Sequence, residues 1–225
     1  MQTYRTPFSL RYWKDAASEL TNTRHLVLAA LLVALRVAIR SVSIPIAENL
    51  YVSVVFLPNA LGSLIYGPVV ALIAGAASDL LGSFLFPRGP FFPPFTLVEM
   101  LSSFIFALFL YKAPLKVWRV AAAKLSVNLL CNILLTPLFL AWMLGRAAII
   151  ADLPRIVKNI MLFPIETTLL ILMLNSLLPA LSKLHIIPGL QTSPVKPPAV
   201  NALCKPLLFT LVFLILFIIN PNPAL

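Results

Sequence analysis

Six apolar segments, each long enough to cross a bilayer as a helix, restrict this chain more than any single motif does. They lie at about residues 24–44, 50–66, 69–86, 95–111, 115–144 and 153–182. About 17 to 25 helical residues are enough to cross the hydrocarbon core of a bilayer. Hydrophobic residues make up 60% of the sequence and charged residues only 11%, which leaves little material for a soluble domain. The sequence therefore predicts an all-α, polytopic integral membrane protein.

The sequence divides into three parts around these segments. Residues 1–22 are polar and aromatic, and we expect a short interfacial helix over 8–20. Residues 23–185 hold the six predicted spans, with a turn at Gly67-Pro68 and a break or tilt near Pro137 in the fifth. Residues 186–225 are predicted to form a proline-rich linker at 187–198 and an additional hydrophobic helix near 199–219. The short apolar run in that helix could instead be interfacial or re-entrant.

The balance of charge is strongly basic, with 17 Lys plus Arg against 7 Asp plus Glu. In a membrane protein, such an excess is typical of loops that remain in the cytoplasm. Placing the N-terminus inside brings most loop lysines and arginines to the cytoplasmic side, so we predict that orientation in a bacterial cytoplasmic membrane. The composition gives no reason to expect nucleic acid as a partner.

The first span, Thr23–Ser41, presents two different faces. Three alanines spaced four residues apart form a stripe of small side chains that would let a partner helix approach closely, at Ala30, Ala34 and Ala38. Arg36 lies about 200° around the helix axis from its neighbours in that stripe. A guanidinium in hydrocarbon is costly, so this face is predicted to point into a polar cavity.

Further polar residues inside the spans are predicted to line the same cavity. In the fifth span, polar side chains recur every four residues, and in the sixth they share one face. The candidates for ligand binding are Arg36, Arg40, Asp79, Asn128, Asn132, Arg155 and Asn159. The alternative is that these groups only make hydrogen bonds and ion pairs between helices.

The loop PRGPFFPP at 87–94 adds aromatic surface through Phe91 and Phe92. The rings could anchor the loop at the membrane interface, or they could form a lid that stacks on a flat heteroaromatic ligand. The prolines would limit the entropy that such a lid loses on closing.

Enzyme chemistry and metal binding find little support in the sequence. The two cysteines, Cys131 and Cys204, lie in apolar runs without a CxxC motif, and His25 and His185 lie at the ends of apolar segments. No nucleophile–base pair or metal-ligand spacing is evident. We expect no catalytic site, no metal and no cofactor.

Three stretches resemble a known family. The runs ALRVAIRSVSIPIAENL, LPNALGSLIYGPVVALIAGAASDLLGSFLFPRGPFFPPFTLVEM and RIVKNIMLFPIETTLL are similar to the folate-specific S component, the substrate-binding membrane subunit, of energy-coupling-factor (ECF) vitamin transporters. The resemblance covers about residues 1–185. The apolar tail beyond Pro188 departs from the six-helix pattern of that family.

The resemblance implies a six-helix subunit that captures folate from outside and docks on a transmembrane coupling protein that works with two ATPases. The stripe at Ala30, Ala34 and Ala38 matches the alanine motif used for that docking. The sequence contains no GxxxxGK[ST] motif, so ATP hydrolysis is expected to come from partner subunits. Folate would offer carboxylates to Arg36, Arg40 or Arg155, N–H donors to Asp79, and rings to Phe91 and Phe92.

Two alternatives to folate binding are open from the sequence. An S component for riboflavin, thiamine or pantothenate would use the same fold with a different cavity. A membrane scaffold of the rod-shape-determining kind would also have a small set of apolar helices, but it would have no small-molecule affinity.

Overall fold

The computed structural model describes residues 10–47, 50–87, 89–145 and 153–183. Within these ranges the chain is a bundle of long helices with one short β-hairpin. Four segments are long and apolar enough to span a membrane: Phe56–Leu85, Pro93–Leu110, Val117–Leu144 and Arg155–Lys183. A fifth is obtained when Leu10–Thr21 and Thr23–Ser41, which meet at 80°, count as one bent span.

The N-terminal region contains the expected short helix. Helix α1 (Leu10–Ser18) continues as a 3-10 turn (Glu19–Thr21), and helix α2 (Thr23–Ser41) follows after a sharp bend. Tyr12 and Ala16 are buried, and the Tyr12 hydroxyl donates a hydrogen bond to the Ala107 carbonyl at 3.3 Å. Helix α1 is therefore packed against the bundle. Its location at a membrane interface remains a prediction.

A buried polar cluster fixes this bend. Tyr111 Oη donates to Glu19 Oε1 at 2.8 Å, and His25 Nδ1 contacts the other carboxylate oxygen. Lys112 Nζ lies 3.1 Å from Asp15 Oδ2. Burial by itself would raise the pKa of Glu19, but the hydrogen bonds from His25 and Tyr111, with the nearby positive charges, lower it overall. The cluster joins the start of α2 to the loop that follows the fourth span.

The segment after α2 differs from its prediction. Strands β1 (Ile44–Ala47) and β2 (Leu50–Val52) form an antiparallel hairpin in which Ile44 pairs with Val52. The prediction that the second span begins near residue 50 is therefore wrong, because the following helix begins at Phe56. Apolar character alone does not distinguish strand from helix in a short run, whereas β-branched and aromatic residues favour the strand.

Helix α3 (Phe56–Leu85) contains the second predicted segment from residue 56 onward and nearly all of the third, separated by a break at Gly67. The Gly67 backbone has φ 74° and ψ −179°, a region that is nearly restricted to glycine. A Cβ at this position would lie 2.9 Å from the Tyr111 ring. In place of the predicted tight turn between two spans, the structure has a kink at Gly67 within one candidate span, Phe56–Leu85. The first half, 56–66, is only about 16 Å long.

Helix α4 (Pro93–Leu110) packs closely on α3. The close approach depends on Gly75, where a Cβ would lie 2.9 Å from the Met100 Cα atom. This contact brings Glu99 beside the polar residues of α2 and α3. The helix matches the predicted fourth span within two residues at its start.

The fifth predicted span is helical but irregular. Helix α5 (Val117–Ser126) passes into a π-helix (Val127–Leu135) and then into helix α6 (Thr136–Leu144). The Thr136 hydroxyl donates to the Cys131 carbonyl at 2.7 Å, five residues back. The segment is continuous as one candidate span, Val117–Leu144, so the structure has a π-helix before Pro137 and not the predicted break. Pro137 has no N–H to donate to the preceding turn. The alternative of a tilt stays a prediction.

Helix α7 (Leu153–Lys183) matches the sixth predicted span. The fully buried centre of the bundle contains large apolar side chains from three helices, among them Tyr66, Phe106, Leu110, Leu170 and Leu174. The described residues confirm an all-α membrane bundle apart from the hairpin. The predicted linker at 187–198, the additional helix near 199–219 and the boundary at 185 lie outside the described residues.

Candidate ligand-binding site

One polar cavity of about 330 Å³ lies between α2, α3, α4, the π-helix and α7. Five cationic side chains line it: Arg36, Arg40, Lys124, Arg155 and Lys158. Three carboxylates line it as well: Asp79, Glu99 and Glu166. The described lining therefore carries two more positive than negative charges. Most of the polar residues that the sequence singled out inside the spans are brought together here.

Arg36 is the most deeply buried of these cations. Its side chain is 1% exposed, and Nη2 lies 3.0 Å from Glu99 Oε2. Nη1 also donates to Ser103 Oγ at 3.4 Å. The opposite face of α2, with Ala30, Ala34 and Ala38, is exposed. The two predicted faces of this helix are thus confirmed in position, whereas a ligand contact by Arg36 stays a prediction.

Arg40 and Asp79 bind each other at the boundary of the cavity. Arg40 Nη1 lies 3.1 Å from Asp79 Oδ1, and the Thr96 hydroxyl donates to Asp79 Oδ2 at 2.8 Å. The Arg40 side chain packs against Gly82, where a Cβ would lie 2.9 Å from it. Both oxygens of Asp79 are therefore engaged within the protein. The ligand roles predicted for these two residues stay predictions.

A third ion pair joins α5 to α7. Lys124 Nζ is 3.0 Å from Glu166 Oε2, and their side chains are 3% and 14% exposed. The same ammonium lies 4.0 Å from the centre of the Phe56 ring, a distance typical of a cation–π contact. This pair fixes α5 against α7, since an unpaired charge at this depth would be strongly unfavourable.

Three asparagines form an amide cluster where the π-helix faces α7. Asn132 Nδ2 donates to Asn128 Oδ1 at 3.1 Å and to Asn159 Oδ1 at 3.3 Å. Asn132 and Asn159 line the cavity, whereas Asn128 is 2% exposed and supports them from behind. The i, i+4 spacing found the cluster correctly, although the segment is a π-helix and not an α-helix.

A second cavity of about 410 Å³ adjoins the first and is mainly apolar. Phe91, Phe92 and Met143 contribute to its wall, and both cavities share Arg40 and Arg155. The cavities therefore meet at the end of the bundle where α2 ends and α7 begins. The aromatic loop residues are near the predicted site, with their rings beside its apolar part.

The rings of this region contact one another. Phe92 meets Trp142 edge to face at a centroid distance of 5.6 Å, and it meets Phe95 at 5.7 Å. Phe91 stacks on Phe84 at 6.4 Å. Trp142 was not among the residues predicted from the sequence. Its spacing of three residues from Phe139 was the available signal, because residues three apart on a helix share a face.

Sequence reasoning also left other residues out of the candidate list. Glu99, Lys124, Lys158 and Glu166 all line the polar cavity. Each was recognisable as an ionisable residue inside an apolar span, which marks a functional position by default. Within the described ranges, no group of three or more His, Cys, Asp or Glu side chains is arranged to hold a metal ion.

Comparison with known proteins identifies the family. The family model of the ECF-type riboflavin transporter S component matches residues 20–176. The chain belongs to the S-component family of ECF-type transporters. The family resemblance and the fold class predicted from the sequence are thereby confirmed. The family is a multi-pass membrane component of transporters and not an enzyme, and membership in it does not support the scaffold alternative.

Individual relatives of this S component carry another vitamin in their names. A folate transporter FolT of Leuconostoc mesenteroides is 32% identical over 161 residues, covering 69% of this chain and 86% of the relative. FolT of Clostridium novyi is 35% identical over 111 residues, covering 49% and 64%. FolT of Streptococcus mutans is 33% identical over 122 residues, covering 51% and 66%. The matches to the last two span slightly less than two thirds of those relatives.

A solved structure also resembles this S component. The crystal structure of FolT bound with folic acid aligns with a TM-score of 0.60 at 37% sequence identity. The alignment covers 64% of this chain and 88% of that structure. The family model names riboflavin while the relatives and the solved structure name folate. The chemistry of the cavity must therefore help to decide between the two vitamins.

Proposed function

We propose that this S component binds folate at the outer face of the bacterial cytoplasmic membrane and delivers it for uptake driven by ATP. The observation that carries the proposal is the excess of two positive charges among the described residues that line the polar cavity. Folate has two carboxylates on its glutamate end, and both are ionised at neutral pH. Riboflavin is uncharged at that pH and would leave the excess without a counter-charge.

The shape of the site supports the same ligand. The polar cavity opens into the apolar cavity beside Phe91 and Phe92, so a long molecule with a polar ring, a benzoyl group and charged ends has matching surroundings. Arg155 and Lys158 line the cavity at the beginning of α7, and we assign the glutamate carboxylates to this part of the wall. Asn132 and Asn159 supply amide donors and acceptors nearby.

Riboflavin is the second candidate, because the matching family model bears its name and its flat tricyclic ring would suit the aromatic wall. The two vitamins differ most in charge. The proposal therefore requires that the ligand is an anion and that removing cationic side chains from the cavity weakens its binding.

The partners follow from the family and remain proposals. A coupling protein would dock on the exposed stripe at Ala30, Ala34 and Ala38, and two ATPase subunits would supply ATP hydrolysis. We place the N-terminus in the cytoplasm, since Arg11, Lys14 and Arg24 are exposed at the end of the bundle away from the cavity.

Mass spectrometry of the small molecule that co-purifies with the detergent-solubilised protein tests the ligand. Cells would be grown with both folate and riboflavin supplied, and the bound fraction would be released by denaturation. We expect folate or a reduced folate in near-equimolar amount. Riboflavin in its place would contradict the proposal.

A further inference from the structure

The three carboxylates of the polar cavity differ in how much of each is available to a ligand. Asp79 is 7% exposed and both its oxygens are engaged, by Arg40 and Thr96. Glu166 is 14% exposed and pairs with Lys124. Glu99 is 42% exposed. An acceptor that recognises a ligand needs open lone pairs that face the cavity, and this requirement favours Glu99.

Glu99 is also held in one position. Arg36 Nη2 binds Oε2 from beneath, and no described residue donates a hydrogen bond to Oε1. The Arg36 guanidinium is a permanent cation, so it fixes both the charge balance and the orientation of the carboxylate. Ser103 Oγ donates to Asn59 Oδ1 at 2.8 Å, and Asn59 Nδ2 donates to Ser102 Oγ at 3.2 Å. This network fixes the adjacent turn of α4.

We infer that Glu99 is the residue that recognises the pterin ring, through the paired N–H groups of its aminopyrimidinone edge. This inference rests on the proposed function and assigns one part of that site. The ring N3–H and the 2-amino group are adjacent donors, and a carboxylate accepts two such donors side by side. The sequence suggests Asp79 for this role, but the Asp79 side chain is only 7% exposed and both its oxygens already accept a hydrogen bond, whereas Glu99 is 42% exposed with Oε2 alone engaged by a described residue.

The same contact would distinguish folate from riboflavin. The corresponding edge of the flavin ring presents a carbonyl, an N–H and a second carbonyl. Against Glu99 the flavin would make one hydrogen bond and bring a carbonyl oxygen towards a carboxylate oxygen. A site built to accept two N–H groups discriminates strongly against a ligand that lacks one. Glu99 is therefore a specificity-determining residue as well as a binding residue.

The test compares two ligands on two proteins. Equilibrium binding of folic acid, and of a folate analogue with methyl in place of the 2-amino group, is measured on wild type and on Glu99→Gln. We expect wild type to bind the analogue about 30-fold more weakly than folic acid, since charge-assisted hydrogen bonds are the strong ones. In Glu99→Gln the two affinities are expected to converge within about threefold.

The matched control is Glu166→Gln, which removes a carboxylate from the same cavity away from the proposed contact. It is expected to change the two affinities by similar factors and to preserve their ratio. Because Glu99→Gln leaves Arg36 buried without its partner, the double variant Arg36→Met/Glu99→Gln is measured in parallel. This double variant removes the Arg36 cation together with the Glu99 carboxylate. Its affinities for folic acid and for the analogue are expected to converge as they do in Glu99→Gln.

Three results would overturn the inference. Wild type could bind the analogue as tightly as folic acid, a result that needs no variant to fold. Alternatively, the ratio of affinities in Glu99→Gln and in the double variant could remain that of wild type. If wild type binds no folate at all, the proposed function fails and this assignment fails with it, whereas the first two results remove Glu99 alone.

Discussion

Arg155 and Lys158 bring two cationic side chains to the polar cavity from the beginning of α7. They are part of the excess of positive charge among the described lining residues, which favours a dianionic ligand. Their contribution is electrostatic and partly exposed to water, so it is sensitive to salt.

We predict that Arg155→Gln and Lys158→Gln each weaken folate binding by about tenfold at low ionic strength, because each removes a charge-assisted contact. The loss of folate affinity in each variant should be smaller at high salt. Isothermal titration at two salt concentrations measures both effects. Lys116→Gln, at an exposed cation on the other end of the bundle, is the matched control and should leave binding unchanged. Full affinity in both α7 variants would remove these residues from the site.

At the level of residues, the sequence revealed which side chains are unusual but not how they pair. Arg36 was recognised as a buried cation from its position opposite the alanine stripe. That Glu99 is its partner depends on how closely α3 and α4 pack at Gly75, which no spacing rule predicts.

Helix α2 is the element with the most clearly divided surface. Its buried face includes Leu32, Val33 and Arg36, and its exposed face carries Ala30, Ala34 and Ala38. Exposed alanines leave room for a second helix at close range. The ligand face and the proposed docking face can therefore be changed independently.

We predict that the double variant Ala34→Trp/Ala38→Trp abolishes co-purification with the coupling protein, because two indole rings prevent close helix approach. Its affinity for folate in the isolated subunit should stay within about twofold of wild type, since neither side chain lines the cavity. Leu172→Trp, at a residue 52% exposed on α7, is the control and should still co-purify. Intact association in the double variant would show that α2 docks elsewhere or not at all.

The break in α3 also depends on a particular residue, because its backbone conformation and its close contacts both require glycine at position 67. Gly67→Ala combines an unfavourable backbone region with contact against the Tyr111 ring. We predict a loss of about 3 kcal/mol in the free energy of unfolding, measured by denaturation in detergent. Gly145 has a similar backbone conformation, but a Cβ there would have no atom within 4 Å. Gly145→Ala should therefore reduce the free energy of unfolding by less. Equal losses would mean that the Tyr111 contact is unimportant.

At the level of secondary-structure elements, the helices were predictable from the sequence and their irregularities were not. Long apolar runs gave α3, α4 and α7 nearly complete, because a helix satisfies its own backbone groups wherever it lies. The hairpin at 44–52 and the π-helix at 127–135 depend on contacts beyond the run itself. Pro137 indicated a break in the fifth span but not that the preceding turns would be a π-helix.

At the scale of the whole molecule, the two ends of the bundle have different chemistry. One end holds the polar and aromatic cavities, and the other holds the buried cluster of Glu19, His25 and Tyr111 beneath α1. The membrane class was predictable from the length of the apolar segments, and the family was predictable from the three stretches that resemble it. The residues beyond 183 lie outside the described structure, so their predicted extra helix remains a prediction.

Direct titration of the purified protein with folic acid and with riboflavin tests the central claim, which is that a cavity whose described lining has two excess positive charges selects a dianionic vitamin. Quenching of tryptophan fluorescence is a suitable signal, since Trp142 contacts the aromatic loop through Phe92. We predict that folic acid binds at least about 100-fold more tightly than riboflavin under identical conditions. Riboflavin binding as tightly as folic acid, or more tightly, would contradict the account.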